Sequence, residues 1–539
     1  MRFLKKTLCI LLCGSVLCVS MVSAADAFAA SDVDYIIANP YADVDWSAAK
    51  QYKTALHTHT NASDGDITLR ESLETHLLQG FDIVATTDHG IVNKGWARAE
   101  DSDYAFIHSM LRMLKRTEGD LDYLGEQGTF TADRYADARS FLTASGMYSE
   151  NGYAYTLRKT DGDEHLIVAV PTGERDILRV PYGIENNALS INAHVNGWFA
   201  DYHDNSVTDY GDALCGVTKA GGVCVINHPG EYTKAKSDLT SAEAYDENNW
   251  AYRYYINRYY DLLRRYPACI GIDVNSKGDS RTRYDRELWD ILLRRSTPGG
   301  RNIFAICSSD AHQADKINTG YTRLLMTEKT SAAARRALES GAFFGCSYCN
   351  GNREELANIL EYLEEYYGTE SAVYASVAQT VAAMDRRTAD VQSGAEKPGK
   401  GPADPMRLVD ENGFFHGKDT FITSIAVDND ADTITVRTEH ALLVRWISDG
   451  EVIAVSKAQD GESTLVLDQY SDRIGTYVRA EAFGEGGTVY TNPFVLSYSG
   501  QPTQQSYPYL PFPILDALFA EVRTFFVKTE RSLQNMFRR

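Results

Sequence analysis

Between residues 52 and 345 short apolar runs alternate with stretches of helical period, and that alternation leaves few architectures open. Residues 82–86, 223–226, 270–274 and 303–306 read as buried strands, and residues 254–266 and 284–295 read as helices between them. Strand then helix, repeated, marks a parallel α/β sheet or barrel. Two stretches interrupt the pattern. Residues 93–180 form a long insertion, and residues 231–260 are rich in Tyr, Asn and charge.

The runs share a second property: they end in residues that hold protons or cations. His57-Thr-His59 closes the first, and two histidines one residue apart on a strand face the same side. Asp64 follows on the next turn. Asp88 and His89 close the second run. Glu185, His194, His228, Asp310 and His312 stand at or near later ones. Strand C-termini are where α/β barrels place their sites. One His-x-His alone is usually structural or solvated. Six imidazoles and three carboxylates in one mouth are another matter, because burying them without a cation is costly. The other six histidines (76, 108, 165, 203, 416 and 440) lack such context and read as surface or packing residues. Asp88 suits either a partner that orients His89 or His59, or a turn cap. Lys277, Arg281 and Arg283, after the run at 270–274, are candidate phosphate grips, although such a run is more often a solvated loop.

The chain has 539 residues, 44% of them apolar, so two or three domains are expected. Residues 52–350 are the α/β unit. Residues 351–418 are a helical segment followed by a Gly/Pro/Lys-rich linker. In residues 419–499 the period switches to two, with Asp-Gly and Gly-Gly turns, which suggests an antiparallel sandwich. Residues 1–29 combine Arg2, Lys5 and Lys6 with an apolar stretch and small-x-small sites. They read as a secretory signal peptide, so the chain is expected to be exported, extracellular or at the cell surface. An N-terminal membrane anchor is the competing reading. The tail, residues 500–539, carries a helical stripe (Ile514, Leu515, Leu518, Phe519, Val522, Phe525, Phe526) with basic neighbours. It suits either contact with an anionic membrane surface or docking on the protein's own acidic body. The net charge of −21 argues against broad nucleic-acid binding. It leaves room for a phosphate in a pocket whose charge metal ions set. Six cysteines follow the signal segment, and Cys346-Ser-Tyr-Cys349 reads as a local disulfide or two thiols.

The residues at the run ends resemble the metal-ligand pattern of the polymerase and histidinol phosphatase (PHP) superfamily. His57, His59, Asp64, His89, Glu185, His194, His228, Asp310 and His312 fill all nine positions in the family's order. The resemblance covers about residues 52–347, with the usual spacing broken by residues 93–180. It implies a distorted (β/α)7 barrel holding two or three divalent transition-metal ions, Zn, Mn or Fe. His57, His59, Glu185 and Asp310 would hold the first ion. Glu185 would bridge to a second with His194 and His228. Asp64, His89 and His312 would hold a third. Glu185 as the bridge and Asp88 as an orienting partner are then the catalytic carboxylates. The C-terminal β segment resembles immunoglobulin-like domains appended to some exported members. The function implied is a secreted phosphoesterase that hydrolyses a small phosphate mono- or diester through a metal-activated hydroxide. Two alternatives remain: a metallohydrolase of a non-phosphorus substrate, and a surface-binding protein with a secondary metal site.

Overall fold

The computed structural model describes residues 33–60, 63–67, 69–92, 148–149, 152–153, 156–160, 164–170, 173–186, 193–202, 209–233, 243–396, 405–458 and 461–507. The signal segment, residues 93–147 of the insertion, part of the linker and the tail from residue 508 lie outside them.

Among the described residues the strands form two principal sheets. One has five strands in the order Phe304–Ile306, Cys269–Asp273, Val223–Ile226, Val195–Trp198 and Ile184–Asn186. The first three run parallel, and the last two are antiparallel to their neighbours. The other sheet has thirteen strands, and Lys50–Ala55 lies inside it. Ile83–Val84 pairs parallel on one side and Gly320–Met326 antiparallel on the other. Helices such as Trp250–Arg265 and Asp285–Ser296 cover the five-stranded sheet with Tyr255, Ile256, Leu288 and Trp289. Strand-to-helix alternation in the sequence thus becomes a mixed α/β architecture.

Among the described residues the strands do not close into the expected barrel. Several of its strands are too short to carry ladders around a ring: Ile83–Val84 has two residues and Phe304–Ile306 has three. The two sheets are joined at the mouth by isolated bridges instead. Thr58 pairs with Ala311, and His89 pairs with Glu185. The second bridge depends on Gly183, where any side chain would stand 2.3 Å from the Thr86 carbonyl oxygen.

The described end of the insertion builds the large sheet. Gly173–Arg179 runs parallel to Ile83–Val84, and His165–Val170 and Thr156–Lys159 follow antiparallel. Leu166, Ile177 and Leu178 lie in the same core as Ile83.

The C-terminal strands divide between a small sheet and the large one, and side chains of both share one apolar core. Phe421–Asp428, Thr433–Glu439 and Glu462–Val466 form a small sheet. Ala441–Ser448, Glu451–Lys457, Tyr477–Gly484, Gly487–Thr491 and Phe494–Ser497 extend the thirteen-stranded sheet. The join is Phe343–Ser347, antiparallel to Gly487–Thr491. That strand is buried at all five residues and so needs a neighbour on each edge. Ile422, Ile434 and Trp446 accordingly share one apolar core with Ala55 and Phe344. The helices Arg353–Tyr367 and Ala372–Ser393 pack on Leu443 and Phe483. Cys346 and Cys349 are buried thiols. Among the described residues, no helix is long and apolar enough to cross a membrane.

The helix Leu69–Leu78 buries His76, whose Nδ1 lies 2.7 Å from the Ser72 carbonyl oxygen. Burial pushes its pKa down to about 4, and the Lys53 ammonium adds to that. The folded chain keeps His76 neutral while the unfolded chain takes up a proton near 6.5. The stability that its neutral form supplies is therefore present above 6.5 and lost as pH falls toward 4. In urea unfolding between pH 7.5 and 4, wild type should lose about 2–3 kcal/mol more than His76→Leu. Parallel curves for the two proteins would refute this.

Candidate metal centre

The functional side chains cluster at strand ends: Glu185 lies within Ile184–Asn186, and His194 immediately precedes Val195–Trp198. His57 and His59 follow Lys50–Ala55, His228 follows Val223–Ile226, and Asp310 follows Phe304–Ile306. His228 (φ 28°), Lys277 (φ 53°) and Asp310 (φ 49°) adopt positive φ, which is uncommon outside glycine and concentrates at functional sites.

All nine candidates from the sequence converge. Glu185 is completely buried and faces five imidazoles. Its Oε1 lies 3.4 Å from His57 Nε2, 3.4 Å from His228 Nε2 and 2.9 Å from His194 Nδ1. Its Oε2 lies 3.4 Å from His59 Nε2 and 2.9 Å from His89 Nδ1. Asp310 Oδ1 stands 3.3 Å from His57 Nε2 and 3.1 Å from His59 Nε2, and these two nitrogens are themselves 3.1 Å apart. Asp64 Oδ1 gathers His312 Nε2 at 3.1 Å, His89 Nε2 at 3.5 Å and His59 Nδ1 at 3.7 Å.

These spacings test whether cations fit. Metal–nitrogen bonds of 2.0–2.1 Å place neighbouring tetrahedral ligands about 3.3 Å apart, and the contacts within the cluster scatter around that value. The donors fall into four adjoining groups: His57, His59 and Asp310; His57, Glu185 and His228; His89, Glu185 and His194; and His59, Asp64, His89 and His312. Imidazole and carboxylate together suit Zn, Mn or Fe. The grouping differs in detail from the one the resemblance implies. His228 sides with His57, His194 sides with His89, and His59 and His89 each stand between two groups.

Electrostatics sort the same residues. Burial opposes charge on every one of them. On His57, Asp310 and Glu185 outweigh burial and hold its pKa at about 10. Burial and the facing His312 and His89 push His59 down to about 3. Burial likewise takes His194 down to about 4. The surrounding imidazoles hold Glu185 and Asp64 well below the carboxylate range despite burial, and Lys277 with His57 does the same for Asp310. The acids are thus anionic and His59 and His194 neutral, whereas the facing carboxylates raise His57, His89 and His312, so a cation bound there must displace protons.

The remaining candidates divide. Asp88 clamps the loop that follows His59. Its Oδ1 accepts from Thr60 N at 2.7 Å and Ser63 Oγ at 2.7 Å, and its Oδ2 accepts from Thr60 Oγ1 at 2.8 Å. It reaches His59 through Ser63, whose Oγ is 3.4 Å from His59 Nδ1. Lys277 is at the cluster, with Nζ 2.8 Å from Asp310 Oδ2. Arg281 lies one step farther out, paired with Glu231 at 2.6 Å. Arg283 is buried rather than presented at the rim. Four participants escaped the sequence reading. Asn227 Nδ2 donates to Glu185 Oε1 at 2.7 Å. Asp273 Oδ2 faces His57 Nδ1 at 4.0 Å. Glu231 Oε2 faces His228 Nδ1 at 3.6 Å. The Tyr232 ring lies against those of His194 and His228, 4.9 and 5.6 Å between centroids. Asp273 ends an apolar run just as the histidines do, and that signal could have found it.

No protein-family model matches the chain, and no curated sequence does. Solved structures give distant likenesses. A two-domain Bacteroides vulgatus protein containing a predicted PHP-like metal-dependent phosphoesterase aligns over 85% of this chain and 89% of its own, at 13% identity and TM-score 0.31. PsfC from Pseudomonas syringae aligns over 53% of this chain and 88% of its own, at 12% identity and TM-score 0.28. The lesion-specific endonuclease of Pyrococcus furiosus aligns over 54% and 56%, at 12% identity and TM-score 0.27.

Proposed function

We propose that the chain is a metal-dependent hydrolase that cleaves phosphate esters. The observation that supports this most is Glu185, one buried carboxylate shared by two adjoining donor groups, each completed by histidines. Divalent cations held side by side supply Lewis acidity to phosphoryl oxygens and make water acidic enough to attack near neutral pH.

The chain's own residues do the rest. Glu185 and Asp310 set the charge and spacing of the floor. Asn227 fixes the rotation of the Glu185 carboxylate, and Asp273 and Glu231 face the outer nitrogens of His57 and His228. The floor is closed to solvent, while Asp64, Lys277 and His312 are 22, 24 and 28% exposed. An ester therefore approaches from their side. Lys277 brings positive charge to that rim inside a chain of net −21, which favours an anionic substrate. The basic and apolar residues 1–29 support export of the enzyme.

Protein purified without chelators should carry roughly two or more equivalents of Zn, Mn or Fe and hydrolyse p-nitrophenyl phosphate or bis(p-nitrophenyl) phosphate. Chelation should abolish turnover, and adding back metal should restore it. Turnover of amide or carboxylic-ester substrates alone would replace the phosphoesterase reading. Less than about half an equivalent, with no uptake of added Mn or Zn, would end the metal reading.

A further inference from the structure

Lys277 is held at the rim by an unusual piece of backbone. Lys277, Gly278 and Asp279 all have positive φ, at 53°, 55° and 61°. The Lys277 amide donates to the Ser309 carbonyl at 3.2 Å, one residue before Asp310. Its ammonium is then fixed between Asp310 Oδ2 at 2.8 Å and Glu231 Oε2 at 2.9 Å. Glu231 turns its other oxygen to Arg281 Nη1 at 2.6 Å. Against the cost of burial, His228, Lys277 and Arg281 keep the Glu231 carboxyl anionic, down at about 2.

An ammonium has three donors, and Asp310 and Glu231 account for two. At neutral pH a phosphate monoester carries three terminal oxygens and nearly two charges, whereas a diester has two terminal oxygens and one charge. Two oxygens are enough to meet two adjoining cations. The third oxygen of a monoester then needs a donor beside Asp310, and Lys277 is the group there. A diester would turn an ester oxygen and its carbon toward the same ammonium.

We propose that Lys277 is an oxyanion anchor that makes the centre prefer phosphate monoesters over diesters, and that Glu231 is the positioning residue that holds it. This rests on the phosphoesterase reading above. Nothing in the pattern of His228, Asp310 and His312 along the sequence points to Glu231. Its role emerges only from the three contacts that its carboxylate makes, to Lys277, Arg281 and His228.

The test uses metal-loaded full-length protein, with inorganic phosphate binding measured by calorimetry alongside turnover of p-nitrophenyl phosphate and bis(p-nitrophenyl) phosphate. Lys277→Met should weaken phosphate binding about tenfold or more, the worth of one charge-assisted hydrogen bond. It should raise KM for the monoester similarly, leave the diester within about threefold, and keep the metal content. Lys277→Arg should recover part of the loss. Glu231→Gln should lie between Lys277→Met and wild type, with KM moved more than kcat. Should the methionine variant not fold, Lys277→Gly, which takes positive φ without strain, supplies the same comparison. Unchanged phosphate affinity, equal losses on both esters, or loss of metal in Lys277→Met would overturn the anchor. Unchanged affinity in Glu231→Gln alone would overturn the positioning role. Failure of the underlying function would look different: wild type would turn over neither ester, while phosphate titration would still report on Lys277.

Discussion

Glu185→Gln is expected to lose at least one equivalent of metal and to hydrolyse phosphoesters about a thousandfold more slowly than wild type, or worse. The substitution keeps the size of the side chain and removes one charge from the point where five imidazoles meet. Two donor groups depend on that charge, so both are unbalanced together. A glutamine also turns an amide NH2 toward either Oε1's or Oε2's histidines, and neither set needs a donor there. Several kcal/mol of charge stabilisation vanish, and each 1.36 kcal/mol is a factor of ten in rate. His416→Ala is the control. His416 is about half exposed and pairs with Asp410 at 2.8 Å. Elemental analysis and kcat/KM on the two proteins decide the matter. Comparable losses in both would show that the chemistry lies elsewhere.

The second large effect concerns stability. Arg286 is 2% exposed and donates to two carboxylates at once: Asp279 at 3.1 and 2.7 Å, and Glu355 at 2.7 and 2.7 Å. It also donates to the Val274 carbonyl at 3.0 Å. Asp279 in turn accepts from the Gly351 amide at 3.0 Å. Arg286→Met leaves two acids facing one another without their cation, and breaking a buried pair in this way costs about 3–5 kcal/mol. Glu355→Gln should cost less, because Arg286 keeps Asp279. The expected readout is a clearly lowered urea midpoint for Arg286→Met and a smaller shift for Glu355→Gln. A midpoint for Arg286→Met within about 0.5 kcal/mol of wild type would refute the bridge's contribution. Asp279 lies two residues from Lys277 on the same strained turn, so phosphate affinity should fall with stability in this variant.

What the sequence shows of the site, it shows through chemistry. Histidine and carboxylate at the ends of apolar runs are rare enough in combination to be read without coordinates. The sharing of ligands between donor groups was not readable, because it depends on ring rotation: His59 and His89 use both nitrogens, toward different carboxylates. Glu231 and Asn227 carry no signal in the sequence, because a carboxylate or amide beside a turn is ordinary until its partners are known. The strands of residues 421–497 were legible from their period, but their destination was not. Period reports which faces are buried and says nothing of which edge a strand will seek. The sequence pattern ends the α/β unit at residue 350, and Phe343–Ser347 just before that end is the seam along which Gly487–Thr491 attaches. From the sequence Asp88 suits either a partner that orients His89 or His59, or a turn cap. Its bonds to Thr60 and Ser63 fix the turn that carries His59 into place.

That seam governs the order in which the molecule can be made. The strand Ile36–Ala38, among the first described residues, pairs with Phe494–Ser497, among the last, so it must wait for nearly the whole chain to emerge from the ribosome. Until then Phe343–Ser347, already paired with Gly320–Met326, offers an open and apolar edge. About 140 residues separate that edge from the strand that covers it, roughly 7–28 s of synthesis at ordinary elongation rates. A chain released within that interval would have nothing to cover the edge except another copy of itself.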